Sequence, residues 1–273
     1  YLISNEQFWN IDAIDVLKIR GSIGLVGSDA LPRIGNQEMR YGYISTWGDG
    51  LGGYYFGFQP NYTAGIGEDQ IGIFDLTWEK GLKKDIGVEL KMFNNAVSLE
   101  VDYFHENRTD ILIQRQSLPS IIGLNKQPFA NMGTMINKGI ESTLELNYKF
   151  DELYCKLYGN FTYTRNKVTE MDEPKREFAY RMRTGQRYNQ QFGLIALGLF
   201  KDQEEIDNSP EQTFGPVRPG DVKYQDVNED GVIDANDEMP IGYSNIPEII
   251  YGFGTQFIWK GFDLGFFFRG QAN

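Results

Sequence analysis

The sequence predicts an all-β protein in which about seven strands form part of a large antiparallel transmembrane β-barrel with long extracellular loops. Two observations predict this fold: apolar and polar residues alternate along several segments, and short turns alternate with long connecting segments. The composition agrees, because aromatic residues make up 14 % of the 273 residues and there are 31 glycines but only 10 prolines. Such a composition is typical of many strands joined by turns.

The alternation is clearest in the last two predicted strands, residues 251–259 and 262–268, which are joined by Lys260 and Gly261. Every second residue of both segments is aromatic, aliphatic or threonine, so each strand has one largely apolar face. In a soluble sheet a second layer would cover that face, whereas in a membrane barrel lipid covers it. Outer-membrane lipid is therefore a predicted partner of this face.

The same period of two occurs earlier in the chain. A first strand is predicted over residues 14–26. Two predicted hairpins follow, with turns at Asn94-Asn95 and Asp151-Glu152, and asparagine suits the positive φ values of a tight hairpin. The hairpin strands cover residues 87–92, 97–103, 140–148 and 153–164.

The order of short and long connections predicts the topology. In a sheet of antiparallel neighbours, the turns at Asn94, Asp151 and Lys260 must all lie on one side. The long segments, residues 27–75, 114–138 and 169–247, then lie on the other side. Short periplasmic turns and long outer loops are the arrangement of outer-membrane barrels, so we expect the three long segments to be extracellular.

An acidic stretch in the third long segment matches the spacing of a calcium loop. Side-chain oxygens fall at positions 1, 3, 5, 9 and 12, and Gly231 falls at position 6, where the chain turns sharply. The carbonyl at position 7 completes the set. The predicted ligands are Asp226, Asn228, Asp230, Val232, Asp234 and Asp237. We expect Ca²⁺, with Mg²⁺ as a competitor because aspartate at position 12 is shorter than the usual glutamate; the alternative is a solvated acidic turn.

The first long segment is rich in glycine and aromatic residues and has no sustained periodicity. Exposed aromatic rings on a loop can stack against a sugar or another apolar ligand face, and the alternative is that they pack on one another. The weak candidates for substrate binding are Tyr41, Tyr43, Trp47, Tyr54 and Tyr55.

Charge and residue counts exclude other classes of function. A net charge of −12 leaves no basic stripe for nucleic acid. The single cysteine, Cys155, cannot form an intrachain disulfide. The only histidine, His105, has no nucleophile motif around it, so we expect a surface or structural role there and no catalytic site.

Five segments resemble the SusC/RagA-type TonB-linked outer-membrane receptors of Bacteroidetes. They are residues 76–80 (LTWEK), 137–141 (NKGIE), 159–168 (GNFTYTRNKV), 219–234 (PGDVKYQDVNEDGVID) and 251–270. The resemblance implies a TonB-dependent transporter of the bacterial outer membrane that imports oligosaccharides or peptides. It also implies a SusD-like surface lipoprotein over the extracellular mouth and a barrel of about 22 strands with a plugged lumen.

Compared with that family, the present sequence shows no recognisable plug domain and no TonB-contacting segment. We therefore expect residues 1–273 to be an internal fragment of a barrel domain, with the TonB complex contacted by a part that precedes it. The alternative from another class is a secreted all-β binding or adhesion module with a dockerin-like calcium loop. The two interpretations differ in whether lipid or a second sheet covers the apolar faces.

Overall fold

The computed structural model describes residues 1–31, 33–34, 37–38, 41–57, 61–124 and 126–273. Its strands, in chain order, are β1 (Ile14–Ser28), β2 (Arg33–Ile34), β3 (Gln37–Glu38), β4 (Thr46–Phe56), β5 (Asn61–Gln70), β6 (Glu79–Met92), β7 (Val97–Gln114), β8 (Phe129–Phe150), β9 (Leu153–Glu170), β10 (Gln190–Gly193), β11 (Ala196–Leu199), β12 (Glu211–Gln212), β13 (Val222–Tyr224), β14 (Val232–Ile233), β15 (Met239–Ser244), β16 (Ile249–Trp259) and β17 (Phe262–Ala272). The helices are α1 (Gln203–Asp207) and the 3₁₀ turns Ile3–Asn5, Ser120–Ile122, Ala179–Arg181 and Ala235–Asp237.

Seven strands form one sheet, in the order β1-β6-β7-β8-β9-β16-β17, and all of their pairings are antiparallel. This confirms the predicted seven-stranded antiparallel sheet. The order follows the chain, so all three short turns lie at one edge of the sheet, as expected. In these turns Asn94, Asn95, Asp151, Lys260 and Gly261 have positive φ values, from 47° to 88°, as tight hairpin turns require.

The connections at the other edge differ in length from the prediction. They run over residues 29–78, 115–128 and 171–248. The second is shorter than expected, because β8 begins at Phe129 and its first residues extend the pairing with β7. Register shifts around Ile111 interrupt the pairing of β7 with this part of β8, which is why the sequence pattern placed the start of β8 too late.

The sequence of the first long segment shows no sustained periodicity, but the segment does contain regular structure. It contains the hairpin of β4 and β5, with register shifts after Thr46 and after Asp49. Four glycines in β4 remove the side chains on which a period of two would be visible. The hairpin therefore escaped a search for alternation.

Pairing across the large sheet aligns the apolar residues into rows. One row crosses all seven strands and consists of Leu17, Leu90, Leu99, Leu144, Gly159, Phe253 and Phe268. None of its side chains is buried in this chain: Phe253 is 55 % exposed and Leu144 41 % exposed, and Leu17, Leu90 and Leu99 are half-buried. We call this side of the sheet the outer face and the opposite side the inner face.

Buried apolar residues are few among the described residues. Ile73 and Leu112 form a small cluster at the long-loop edge, against which Leu31, Leu76 and Phe129 pack. Phe200 and Ile233 are buried in the third long segment. The large sheet thus keeps its apolar side chains on its surface, and small clusters hold the loops.

Candidate functional site

The inner face carries ion pairs that run between neighbouring strands. Lys18 of β1 and Lys91 of β6 both contact Glu89, at 3.2 and 3.3 Å between nitrogen and oxygen. Lys156 of β9 contacts Glu145 of β8 at 3.0 Å. The alternation of the strands forces these side chains to one side, so the inner face is polar while the outer face is apolar.

The pair between Arg20 and Asp102 crosses β6, which lies between their strands. The Arg20 Nε atom donates a hydrogen bond of 3.0 Å to Asp102 Oδ1. Gly87 of β6 makes room for it, since a Cβ atom there would lie 1.9 Å from that oxygen and 2.8 Å from Arg20 Nε. Glycine at position 87 is therefore required by the ion pair.

These side chains form a charged, partly exposed surface. Exposed ion pairs contribute about 0 to 1 kcal/mol each, so the network sets the polarity of the face more than its stability. Such a surface is what a water-filled or plugged barrel lumen presents.

Beyond the sheet, Asp172 ties the second and third long segments together. Its carboxylate accepts hydrogen bonds from Arg115 Nε (2.6 Å), from the backbone N–H of Gln116 (2.9 Å) and Ser117 (3.2 Å), and from the Ser117 hydroxyl. Burial alone would raise the pKa of Asp172, but these donors outweigh burial and hold the pKa at about 2.

Glu248 and Glu173 fix the third long segment to the sheet and to itself. The Glu248 carboxylate contacts Arg165 of β9 at 2.7 Å and Arg187 at 2.9 Å. Glu173 accepts from the backbone N–H groups of Arg183 and Thr184, and although its burial opposes the change, these bonds lower its pKa. Sequence reasoning missed these anchors for two reasons. Arg165 is distant from Glu248 along the chain, and the partners of Glu173 include backbone N–H groups, which leave no sequence pattern.

The predicted calcium loop lies in the third long segment, and its oxygens accept backbone hydrogen bonds. Asp226 accepts from Glu229 and Gly231, and Asp230 accepts from Val232. The other candidate side chains behave alike: Asn228 accepts from the N–H of Asp230, Asp234 from that of Asn236, and Asp237 from those of Val227 and Asp234.

Asp237 is fully buried, and both of its oxygens are engaged with the backbone, at 2.7 Å to Val227 N and 2.9 Å to Asp234 N. Among the residues that the structure describes, no group of three or more His, Cys, Asp or Glu side chains converges as a metal site would require. The donor types suit Ca²⁺ but are not gathered, so calcium binding here stays a prediction.

The five aromatic candidates of the first long segment are all exposed, between 56 % for Tyr43 and 69 % for Trp47. Tyr41 and Tyr43 make an edge contact at 6.4 Å between ring centroids. Tyr54 and Tyr55 contact Phe56 and Tyr62 at 5.1 and 5.2 Å. The rings thus contact one another and also remain accessible.

No helix among the described residues has the length and apolar character needed to cross a membrane. The strands have a characteristic arrangement: a sheet with one apolar and one charged face, short turns at one edge and long loops at the other. This arrangement is that of the class of outer-membrane barrels.

The family follows from comparison with known proteins. Residues 26–270 match the family model described as TonB dependent receptor-like, beta-barrel. The chain belongs to this family. It is 30 % identical over 284 residues to TonB-dependent receptor P26 of Formosa agariphila, covering 99 % of this chain and 27 % of that protein. It is 22 % identical to TonB-dependent receptor SusC of Bacteroides thetaiotaomicron, over 73 % of this chain and 20 % of that protein.

Solved structures share the fold. The RagAB peptide importer in its closed-closed state matches with a TM-score of 0.70 and 21 % identity, over 99 % of this chain and 28 % of that one. The open-open state matches with a TM-score of 0.71 and 22 % identity, over 99 % and 27 %. The chain thus spans about a quarter of the length of the proteins it matches. Family membership favours the barrel over a secreted adhesion module.

Proposed function

We propose that the full-length protein is a TonB-dependent transporter of the bacterial outer membrane that imports oligosaccharides or peptides. The observation that carries the proposal is the two-faced sheet, whose apolar rows cross all seven strands while ion pairs occupy the opposite side. The proposal concerns the full-length protein, because the edges of a seven-stranded sheet would leave backbone groups unpaired in lipid.

A SusD-like surface lipoprotein is the proposed partner at the extracellular mouth. The two longest connections, residues 29–78 and 171–248, supply the surface for it. Within the first, Trp47, Tyr54 and Tyr55 are exposed by more than 60 %. Aromatic residues of this kind are enriched in protein interfaces and in sugar-binding surfaces.

Crosslinking of the full-length receptor with its co-expressed lipoprotein tests the partner. A photo-crosslinking residue at Trp47 or Tyr243, both exposed in the long loops, should capture the lipoprotein. The same residue at Glu152, in a short turn, is the control and should capture none. Crosslinks confined to the short turns would contradict the proposal.

Uptake of labelled oligosaccharide and peptide pools by cells tests the transport reaction. Uptake should require the receptor, the TonB complex and the proton gradient, and should be lost when any one of them is removed. Uptake that continued without TonB would contradict this mechanism. The pool that is depleted decides between the two substrate classes.

We also propose that the acidic loop of residues 226–237 binds Ca²⁺ as a structural ion. The support is the set of oxygen donors and its spacing in the sequence. Calorimetry on the full-length protein should show a Kd of about 10⁻⁴ to 10⁻³ M. Asp230→Ala should abolish the heat, whereas Glu229→Ala, at position 4, should keep it. No heat at millimolar Ca²⁺, or equal heat with Mg²⁺, would contradict a calcium site.

A further inference from the structure

One row of side chains on the outer face is basic, whereas the rows described above are apolar. Its members face the same way as the apolar rows and pair directly across β6, β7, β8 and β9: they are Lys84, His105, Lys138 and Arg165. We call them the basic row. The next row toward the short turns consists of Ile86, Tyr103, Ile140 and Tyr163. On the long-loop side the next row is mixed and consists of Leu25, Leu82, Asn107, Ile136 and Lys167. The basic row therefore lies where the outer face changes, toward the long loops, from apolar rows to rows that also carry polar and basic side chains.

The lysines of this region have no anionic partner. Among the described residues, Lys84, Lys138 and the adjacent Lys167 form no ion pair or hydrogen bond, whereas on the inner face Lys18 and Lys156 each contact a carboxylate. Basic side chains directly opposite one another destabilise a sheet. Their accumulation in a chain of net charge −12 indicates that an anion outside the described residues balances them.

A cavity of about 520 Å³ opens beside the basic row, where residues 185–190 of the third long segment pass β9. Its basic lining residues are His105, Lys138, Arg165, Lys167 and Arg187, and no carboxylate lines it. Glu248 lies nearby, but it is buried and shared by Arg165 and Arg187. The cavity is therefore open to a ligand and positive in charge.

We propose that the basic row binds the phosphate groups of a lipid headgroup in the outer leaflet. A phosphate monoester carries close to two negative charges and accepts charge-assisted hydrogen bonds from lysine and arginine. Continuity with the apolar rows identifies the source as a lipid and not free phosphate: acyl chains lie against Ile86 and Ile140 while Lys84 and Lys138 extend along them to the headgroup. The inference rests on the outer-membrane location proposed above.

Lipid titration of the full-length receptor in non-ionic detergent, followed by native mass spectrometry, tests the proposal. The probes are lipid A with its phosphates, lipid A from which the phosphates have been removed, and inorganic phosphate. The test variant is Lys84→Gln with Lys138→Gln. Its matched control, Lys83→Gln with Lys149→Gln, removes the same charge from the inner face of the same strands.

Each surface lysine contributes about fivefold to the binding of an anionic lipid, so the test variant should bind phosphorylated lipid A roughly 25-fold more weakly. The control variant should bind like the wild type, and Lys84→Arg with Lys138→Arg should retain binding and verify that the sites tolerate change. The dephosphorylated lipid should bind all variants equally.

Equal binding of phosphorylated lipid A by the test and control variants would overturn the proposal, as would tight binding of inorganic phosphate that depends on the same lysines. A receptor that needs no detergent would instead overturn the outer-membrane location. The two failures are therefore distinguishable.

Discussion

The outer and inner faces of the large sheet share one backbone yet differ in what their side chains contact. Leu144 and Thr143 are neighbours in β8, but Leu144 lies in a row of leucines and phenylalanines and Thr143 lies between Glu100 and Asn160. Both residues are exposed in this chain. The difference shows that exposure alone does not identify the environment of a barrel residue; the composition of its row does.

The largest expected change in the free energy of unfolding comes from placing a charge on the outer face, and substitutions at Leu144 and Thr143 compare the two faces. Leu144→Arg should destabilise the full-length barrel by about 2 to 4 kcal/mol, because it places a charge among lipid chains. Thr143→Arg should cost much less, since it faces Glu100. Denaturant unfolding in detergent measures both free energies of unfolding. Glu145, the inner-face neighbour on the other side of Leu144, would be a poorer control, because its substitution would also break the ion pair with Lys156.

A buried loop carboxylate should matter more than the exposed pairs of the inner face. Asp172→Ala should cost about 1.5 to 3 kcal/mol, because it leaves several donors without their charged acceptor. The pKa of Asp172 is held below its ordinary value of 3.8, so its stabilisation is present above pH 3.8 and is lost as the pH falls toward about 2.

Hydrogen exchange of the backbone amides of residues 115–117, measured between pH 5 and pH 2, reports whether Asp172 still holds this segment. Protection should fall through that window in the wild type and should be low and nearly pH-independent in Asp172→Ala. Unchanged protection across the window would contradict the role assigned to Asp172.

The next largest loss of stability is expected where an added side chain would crowd the inner face. Gly87→Ala should cost about 1 to 3 kcal/mol, because the added Cβ atom displaces the ion pair of Arg20 and Asp102. Gly24→Ala in β1 is the control, since nothing lies within 4 Å of its Cβ position. Equal unfolding midpoints for the two variants would show that the ion pair is not held as described.

The smallest effect is expected for an exposed inner-face pair. A double-mutant cycle on Glu145 and Lys156 should give a coupling of about 0.2 to 1 kcal/mol that weakens with added salt. A salt-insensitive coupling above that range would mean that the inner face is shielded from water.

Local patterns predicted the sheet because each strand carries its own alternation and each hairpin its own turn residues. The seven strands, their order and the edge occupied by the turns at Asn94, Asp151 and Lys260 followed from this. Glycines hid the hairpin of β4 and β5, and the register shift near Ile111 hid the start of β8. Asp172 and Glu248 could not be predicted, because their partners come together only after the loops fold.

The most direct test of the account is whether the face of Leu144 lies in lipid. Single cysteines at residues 140–147, in a full-length receptor with Cys155→Ser, would carry spin labels in bilayers, and collision with oxygen and with a water-soluble nickel complex would be measured. The account predicts that oxygen accessibility peaks at residues 140, 142, 144 and 146, with nickel accessibility peaking at the residues between. Equal nickel accessibility at residues 143 and 144 would contradict it.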